Sequence, residues 1–411
     1  EILLTKFTEE DIAQQTKVTR SLVNKALKTP HPELGGHGVR PTDKWTAQGL
    51  ADAKQDRTSI PYEGYTPNRM VCDTTLRLMP DGSWIYFMLA GGDTEPSPLN
   101  YTAITRSTDE GKTWTPLATF DVGFPREGKT IGQGPTEVLV RDGRATLFFS
   151  THSKHWANDW RSWYLTSDDS FKTWSKPTEL PGRLKERTFI RPSITTRDGR
   201  ILMPFQHYIG PEAEKDKAPL DRAFTNPRNG VLMSSDGGKT WTEHGNIRLT
   251  PNDKYFGWAE PTIHERADGS ILMFIRADTL GGVLYQATSR DGGRTWPEFA
   301  LVTDIPNPGS KATLFPLGGK SVALLHNNNS KRRAPLSLWI SFDDGKTWPY
   351  QRVLVPEAGP DPKYPGKHMK GSINYPDGFV SADKQWLHFA YDDARHRAVH
   401  YSAKLPPLPA K

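Results

Sequence analysis

The 411-residue chain has a single cysteine, Cys72, so it forms no internal disulfide and offers no thiolate cluster for a metal. No stretch approaches 18 consecutive apolar residues, which excludes a helical membrane span. Strong charge bias is also missing: 53 Lys and Arg stand against 47 Asp and Glu. Apart from Lys331-Arg332-Arg333 the basic residues are dispersed, and nucleic-acid binding would cluster them. The small positive balance suits an acidic substrate instead. The expected location is secreted or periplasmic, although no signal peptide is visible.

What is abundant is turn-forming residues and aromatics. The 35 glycines and 34 prolines argue for many short strands, and 13 tryptophans supply core without staples. "STDEGKTW" at 107–114 returns as "SSDGGKTW" at 234–241, "SRDGGRTW" at 289–296 and "SFDDGKTW" at 341–348, with a degraded copy, "SDDSFKTW", at 167–174. The central aspartates, Asp109, Asp169, Asp236, Asp291 and Asp343, recur at a spacing that signals a repeat architecture. Ahead of each box stand two apolar runs, joined in the first four units by Asp-Gly, as in "TTLRLMPDGSWIYFM", a strong hairpin signal. A sixth unit, "NYPDGFVSADKQWLHFAY" with "AVHYSAK", lacks the box. Six small antiparallel sheets imply an all-β, six-bladed propeller. The boxes read as structural: Ser and Asp bond backbone N–H groups of a turn, Gly takes a positive φ, and Trp packs between sheets.

Residues 1–60 lack this pattern. "TEEDIAQQTKVTRSLVNKAL" has helical spacing with Thr8 as a cap, and "TPHPELGGHGVRPTDK" reads as an irregular arm. The division expected is a helical or irregular segment over 1–60 packed on a propeller over 61–411.

The boxes together with "EPTIHERADGSILMFIR" resemble the sialidase (neuraminidase) superfamily, over roughly residues 65 to 404. The resemblance implies a tyrosine nucleophile with a glutamate base, an aspartate acid/base and three arginines for the substrate carboxylate. Arginine suits that task because its planar fork matches a carboxylate. On the matching positions Tyr375 is the nucleophile, Glu260 its base, Asp93 the acid/base, and Arg276 and Arg333 two of the arginines. The first-strand arginine is absent. Cys72 stands at its position in "NRMVCDTTLRLMPDG", with Asp73 beside it as a candidate substrate contact.

Other polar groups cluster at strand ends. In "FIRPSITTRDGRILMPFQHY", Arg191 and His207 take places corresponding to Glu260 and Arg276, with Tyr208 next, and "STHSKHW" adds His152. These are read as facing one cleft, with His207 titrating and Arg191, Tyr208 and His152 binding substrate. No metal or cofactor is expected.

The expected function is an exo-acting, retaining glycoside hydrolase that releases a terminal acidic, sialic-acid-like sugar from a glycan. A second reading is a lyase resembling propeller-fold ulvan lyases, cleaving a uronate polymer by β-elimination with His or Tyr and an arginine neutraliser. A third is a non-catalytic glycan-binding propeller. The partner in every case is an acidic glycan, with no nucleic acid and no membrane span.

Overall fold

The structure, a computed structural model, describes residues 42–64, 70–124, 131–153, 159–208, 224–360 and 371–409. The helix expected around Thr8 lies outside them. Six antiparallel sheets form the six-bladed propeller. Their inner strands are Val71–Leu78, Gly132–Arg141, the broken pair Thr188–Ile190 and Ile194–Thr195, Pro261–Glu265, Thr313–Gly318 and Ile373–Val380, in blades one to six. Asp-Gly turns do join the first two strands where the sequence places them, as between Pro261–Glu265 and Ile271–Ile275, because Gly269 takes the left-handed conformation that the tight turn needs.

The last blade closes the ring with a strand from the other end of the chain. Arg57–Glu63 pairs with Arg397–Lys404 as its outermost strand. The boundary expected at residue 60 therefore falls inside a propeller strand. Of the arm expected over 29–44, residues 29–41 lie outside the described residues; its last residues begin an α-helix, Asp43–Ala53, started by Thr42, whose hydroxyl accepts from the Trp45 N–H. Trp45 stacks on Phe342 at 4.7 Å, and Asp56 pairs with Arg352 and accepts from Tyr401, tying this segment to blades five and six.

Each box is a small hydrogen-bonded cage. In the third, Ser234 Oγ bonds Asp236 Oδ1 at 2.8 Å and accepts the Gly238 N–H, while Asp236 accepts the Thr240 N–H and hydroxyl. The same pattern surrounds Ser107, Ser167, Ser289 and Ser341. In the degraded copy Phe171 holds the glycine position at a φ of 59° and sinks into the core between blades one and two. The box tryptophans fill gaps between blades, as Trp348 does beside Phe274 and Trp339.

The inner strands are laced together around the axis. Thr74 donates to the Tyr375 carbonyl, Thr313 to the Pro376 carbonyl, and Thr262 accepts the Leu314 N–H. Deeper along the axis, Asp377 accepts from both Arg77 and Lys311, and Arg77 also holds Glu137. Among the described residues no helix is long and apolar enough to cross a membrane.

Candidate active site

The upper ends of the inner strands carry the polar groups. Glu260 directly precedes the blade-four inner strand and Arg276 directly follows its partner, so the ladder sets them opposite each other. Arg276 Nη1 lies 2.9 Å from Glu260 Oε1, and its Nε and Nη2 reach the two oxygens of Asp278 at 2.7 and 3.0 Å. Arg191 approaches Glu260 Oε1 at 3.8 Å. With cations on two sides, the buried Glu260 is a paired charge rather than a stranded one.

Two bulges aim further residues into the same place. The ladder of blade one shifts between Cys72 and Thr75, and that of blade six between Asn374 and Asp377. Asp73 and Tyr375 sit in these bulges with φ of 47° and 53°, a strained conformation for residues other than glycine. Asp73, His152, Arg191, Glu260 and Tyr375 thereby line one cleft, walled by Trp160, Phe189 and Trp258. The cleft holds about 20 Å³, room for about one water. Arg276 and Arg333 open on an adjoining cavity of about 540 Å³, rimmed by Lys331 and Arg332.

The tyrosine sits among cations. The guanidinium carbon of Arg333 is 5.8 Å from the centre of the Tyr375 ring, and that of Arg395 is 5.7 Å. Arg333 is fixed by Asn374 Oδ1 and the Gly309 carbonyl, each at 2.9 Å. Burial, with Glu95 and Asp73 nearby, raises the Tyr375 hydroxyl above its ordinary range, while Arg276 and Arg395 oppose that rise.

Three expected residues lie elsewhere. Asp93 is exposed and does not line the cleft; the same loop turns Glu95 into it instead. His207 points away, sharing a 2.7 Å hydrogen bond with Thr188 Oγ1, and burial with Arg183 and Arg187 nearby lowers its pKa to about 3. The cause is a one-residue offset. Asp198 of the blade-three turn is seven residues after Arg191, whereas Asp268 is eight after Glu260. Gln206 therefore takes the inward place and accepts from Arg191 Nε at 3.4 Å, while His207 falls on the opposite face. Tyr208 is fully buried beneath the cleft, its hydroxyl accepting the Ala259 N–H at 3.3 Å. Neither His207 nor Tyr208 lines the cleft, where the elimination reading needs a His or Tyr.

Glu95 and Arg395 are the groups that sequence reasoning missed. Arg395, in the blade-six hairpin, bonds Glu95. That places a guanidinium from another blade beside Cys72, where the first-strand arginine was expected. Ligand atoms of Cys72, Asp73 and Glu95 lie within 4.8 Å of one another. The guanidinium on Glu95 already supplies the positive charge that a metal would bring, so this set does not fit one.

The sequence profile described as a BNR repeat-like domain matches residues 100–388. The chain belongs to that family. Its fold is the BNR propeller of the sialidase superfamily. It is 26% identical to a sialidase of Bacteroides fragilis over 62% of this chain, and 24% identical to a sialidase of Micromonospora viridifaciens over 74%. These matches cover 49% and 48% of the relatives, so the chain spans about half the length of each. Among solved structures, the Hadza microbial sialidase Hz136 superposes with a TM-score of 0.60 at 22% identity, over 82% of this chain and 66% of that one. A Dyadobacter fermentans protein of unknown function gives 0.62 at 18%, over 85% and 99%. Trypanosoma rangeli sialidase in complex with sialic acid gives 0.59 at 17%, over 85% and 58%. At these identities the structural likeness establishes the fold alone.

Proposed function

We propose that this BNR propeller is an exo-acting, retaining glycoside hydrolase that removes a terminal acidic sugar, of sialic-acid type, from a glycan. The observation that carries this reading is the setting of Tyr375, strained in a bulge, between Arg333 and Arg395 and in one cleft with Glu260. A phenol is a suitable nucleophile at an anomeric centre that already bears a carboxylate, because it brings no charge until its proton leaves. Glu260 accepts that proton as the Tyr375 oxygen bonds the anomeric carbon, and returns it when water displaces the tyrosine. Arg276, Arg333 and Arg395 hold the substrate carboxylate.

The cleft holds about 20 Å³, so a sugar ring enters only as the aromatic wall of Trp160, Phe189 and Trp258 moves aside. The test is release of sugar from an aryl glycoside of N-acetylneuraminic acid, with the anomer of the first product read by NMR. Retention by the natural protein and loss of at least about 100-fold in Tyr375→Phe are expected. Full activity in Tyr375→Phe removes the mechanism.

A further inference from the structure

The reaction proposed above also needs a proton for the departing oxygen. Two carboxyl groups of blade one, Asp73 and Glu95, line the cleft beside Tyr375. Their oxygens lie within 4.8 Å of each other and of the Cys72 sulfur. Arg395 bonds Glu95, and the Cys72 thiol and the Asp73 carboxyl stand beside that same glutamate. Two carboxyl groups this close, with one guanidinium committed to one of them, do not both ionise. The charge settles on Glu95, and Asp73 keeps its proton.

Asp73 is presented to the cleft as well as protonated. Its Oδ1 is sealed from solvent and has no hydrogen-bond partner among the described residues. Besides Cys72 on its own strand, the groups facing it are Glu95, Arg191 from blade three, Lys311 ahead of the blade-five strand, and Tyr375. Burial and Glu95 outweigh the two cations and push its carboxyl up to about 8. The strained bulge holding Asp73 is a cost that packing alone does not explain.

We infer that Asp73 is the acid that protonates the leaving glycosidic oxygen, with Glu95 and Arg395 as its positioning residues, and that exposed Asp93 takes no part. In the first step the Tyr375 oxygen bonds the anomeric carbon, the glycosidic C–O bond breaks, and the Asp73 proton passes to the departing oxygen. In the second, water bonds that carbon, the tyrosyl C–O bond breaks, and the proton lost by water returns to Asp73. The second carboxylate then speeds reprotonation, since two adjacent negative charges repel.

This rests on the hydrolase reading, so the test separates the two. Infrared difference spectra of the full chain, natural protein minus Asp73→Asn, should show the carbonyl stretch of a protonated carboxyl at pH 7 that vanishes as pH passes about 8. In Glu95→Gln that loss should move down by at least about one pH unit, because the like charge is gone. Absence of the band at pH 7 overturns the proposal whatever the activity. On a methyl glycoside of N-acetylneuraminic acid, Asp73→Asn should lose at least about 100-fold in kcat, but less than about tenfold on the 4-nitrophenyl glycoside, whose leaving group departs unprotonated. Asp93→Asn should keep both rates. Equal losses on the two glycosides, or loss in Asp93→Asn alone, overturn the acid assignment while hydrolysis stands. The band without sugar release from either glycoside by the natural protein sinks the hydrolase reading and the acid role with it.

Discussion

Lys311 and Asp377 meet at 2.8 Å near the propeller axis, joining blades five and six through two almost fully buried side chains. The other Asp377 oxygen takes Arg77 at 2.7 Å, and Arg77 carries Glu137 of blade two. Three buried charges and the half-buried Arg77 thus cancel across four blades. Removing the Asp377 charge leaves buried Lys311 without its ion-pair partner, while Arg77 keeps Glu137. Asp377→Asn should cost about 3–5 kcal/mol of stability, read as a shift in the denaturant midpoint with an unchanged slope. A cost below about 1 kcal/mol would show the network to be well hydrated.

The boxes predict the opposite combination, lost stability with intact chemistry. Ser341 is fully buried; its hydroxyl accepts the Gly345 N–H at 2.8 Å and donates to Asp343 at 2.7 Å. Ser341→Ala leaves a buried N–H without a partner, a loss of about 1–3 kcal/mol. Thermal unfolding should register it, whereas turnover at permissive temperature should not change.

How much was readable in the sequence follows from how local each signal is. Asp-Gly between apolar runs and the five boxes are short-range patterns, and they announce the blades directly. Glu260, Arg276 and Tyr375 are readable because each stands at or beside the end of a strand whose register is simple or whose match to a family motif is close. Asp93 against Glu95 is not, because a loop conformation decides which carboxylate turns inward. Arg395 follows Ala394 in a turn where both residues are left-handed, with φ of 59° and 52°, and no local rule places an arginine there. His207 shows the cost of a single miscounted residue, since in a strand one step reverses the face.

Arg395 should govern affinity for acidic ligands. It stands beside Cys72, the place of the missing first-strand arginine, 5.7 Å from the Tyr375 ring. A charge-assisted bond contributes roughly 1.5–3 kcal/mol, so Arg395→Gln should raise KM for a carboxylated glycoside at least about tenfold. The same change should barely affect binding of the glycoside's methyl ester. Equal effects on acid and ester would mean that Arg395 serves only to brace Glu95.

Ligand entry should be visible from the tryptophans. Trp160 stacks on His152 at 4.2 Å, and Trp258, its backbone N–H held by Asp278, completes the wall. Because the cleft holds about 20 Å³, an acidic sugar must displace this wall. Adding N-acetylneuraminic acid should change the tryptophan emission, and Trp258→Phe should reduce that change. Binding measured by calorimetry with no optical change would place the sugar in the adjoining cavity beside Arg333 instead.

Stability against pH tests the proton on Asp73 without any substrate. Its folded carboxyl is raised to about 8 from an ordinary value of 3.8, by burial first and Glu95 next. Between those values the folded chain keeps a proton that the unfolded chain has released, so this group's contribution is full below about pH 4 and is lost as pH rises through about 8. Asparagine at this position has no proton to lose. The difference in Tm between Asp73→Asn and the natural protein should therefore move steadily in favour of the variant from pH 4 to pH 8, then level off. Asp93→Asn, at an exposed position, should show no such trend. A difference for Asp73→Asn that stays constant from pH 4 to pH 9 means that the carboxyl ionises as it would in water, and the acid poised beside Tyr375 is then not there.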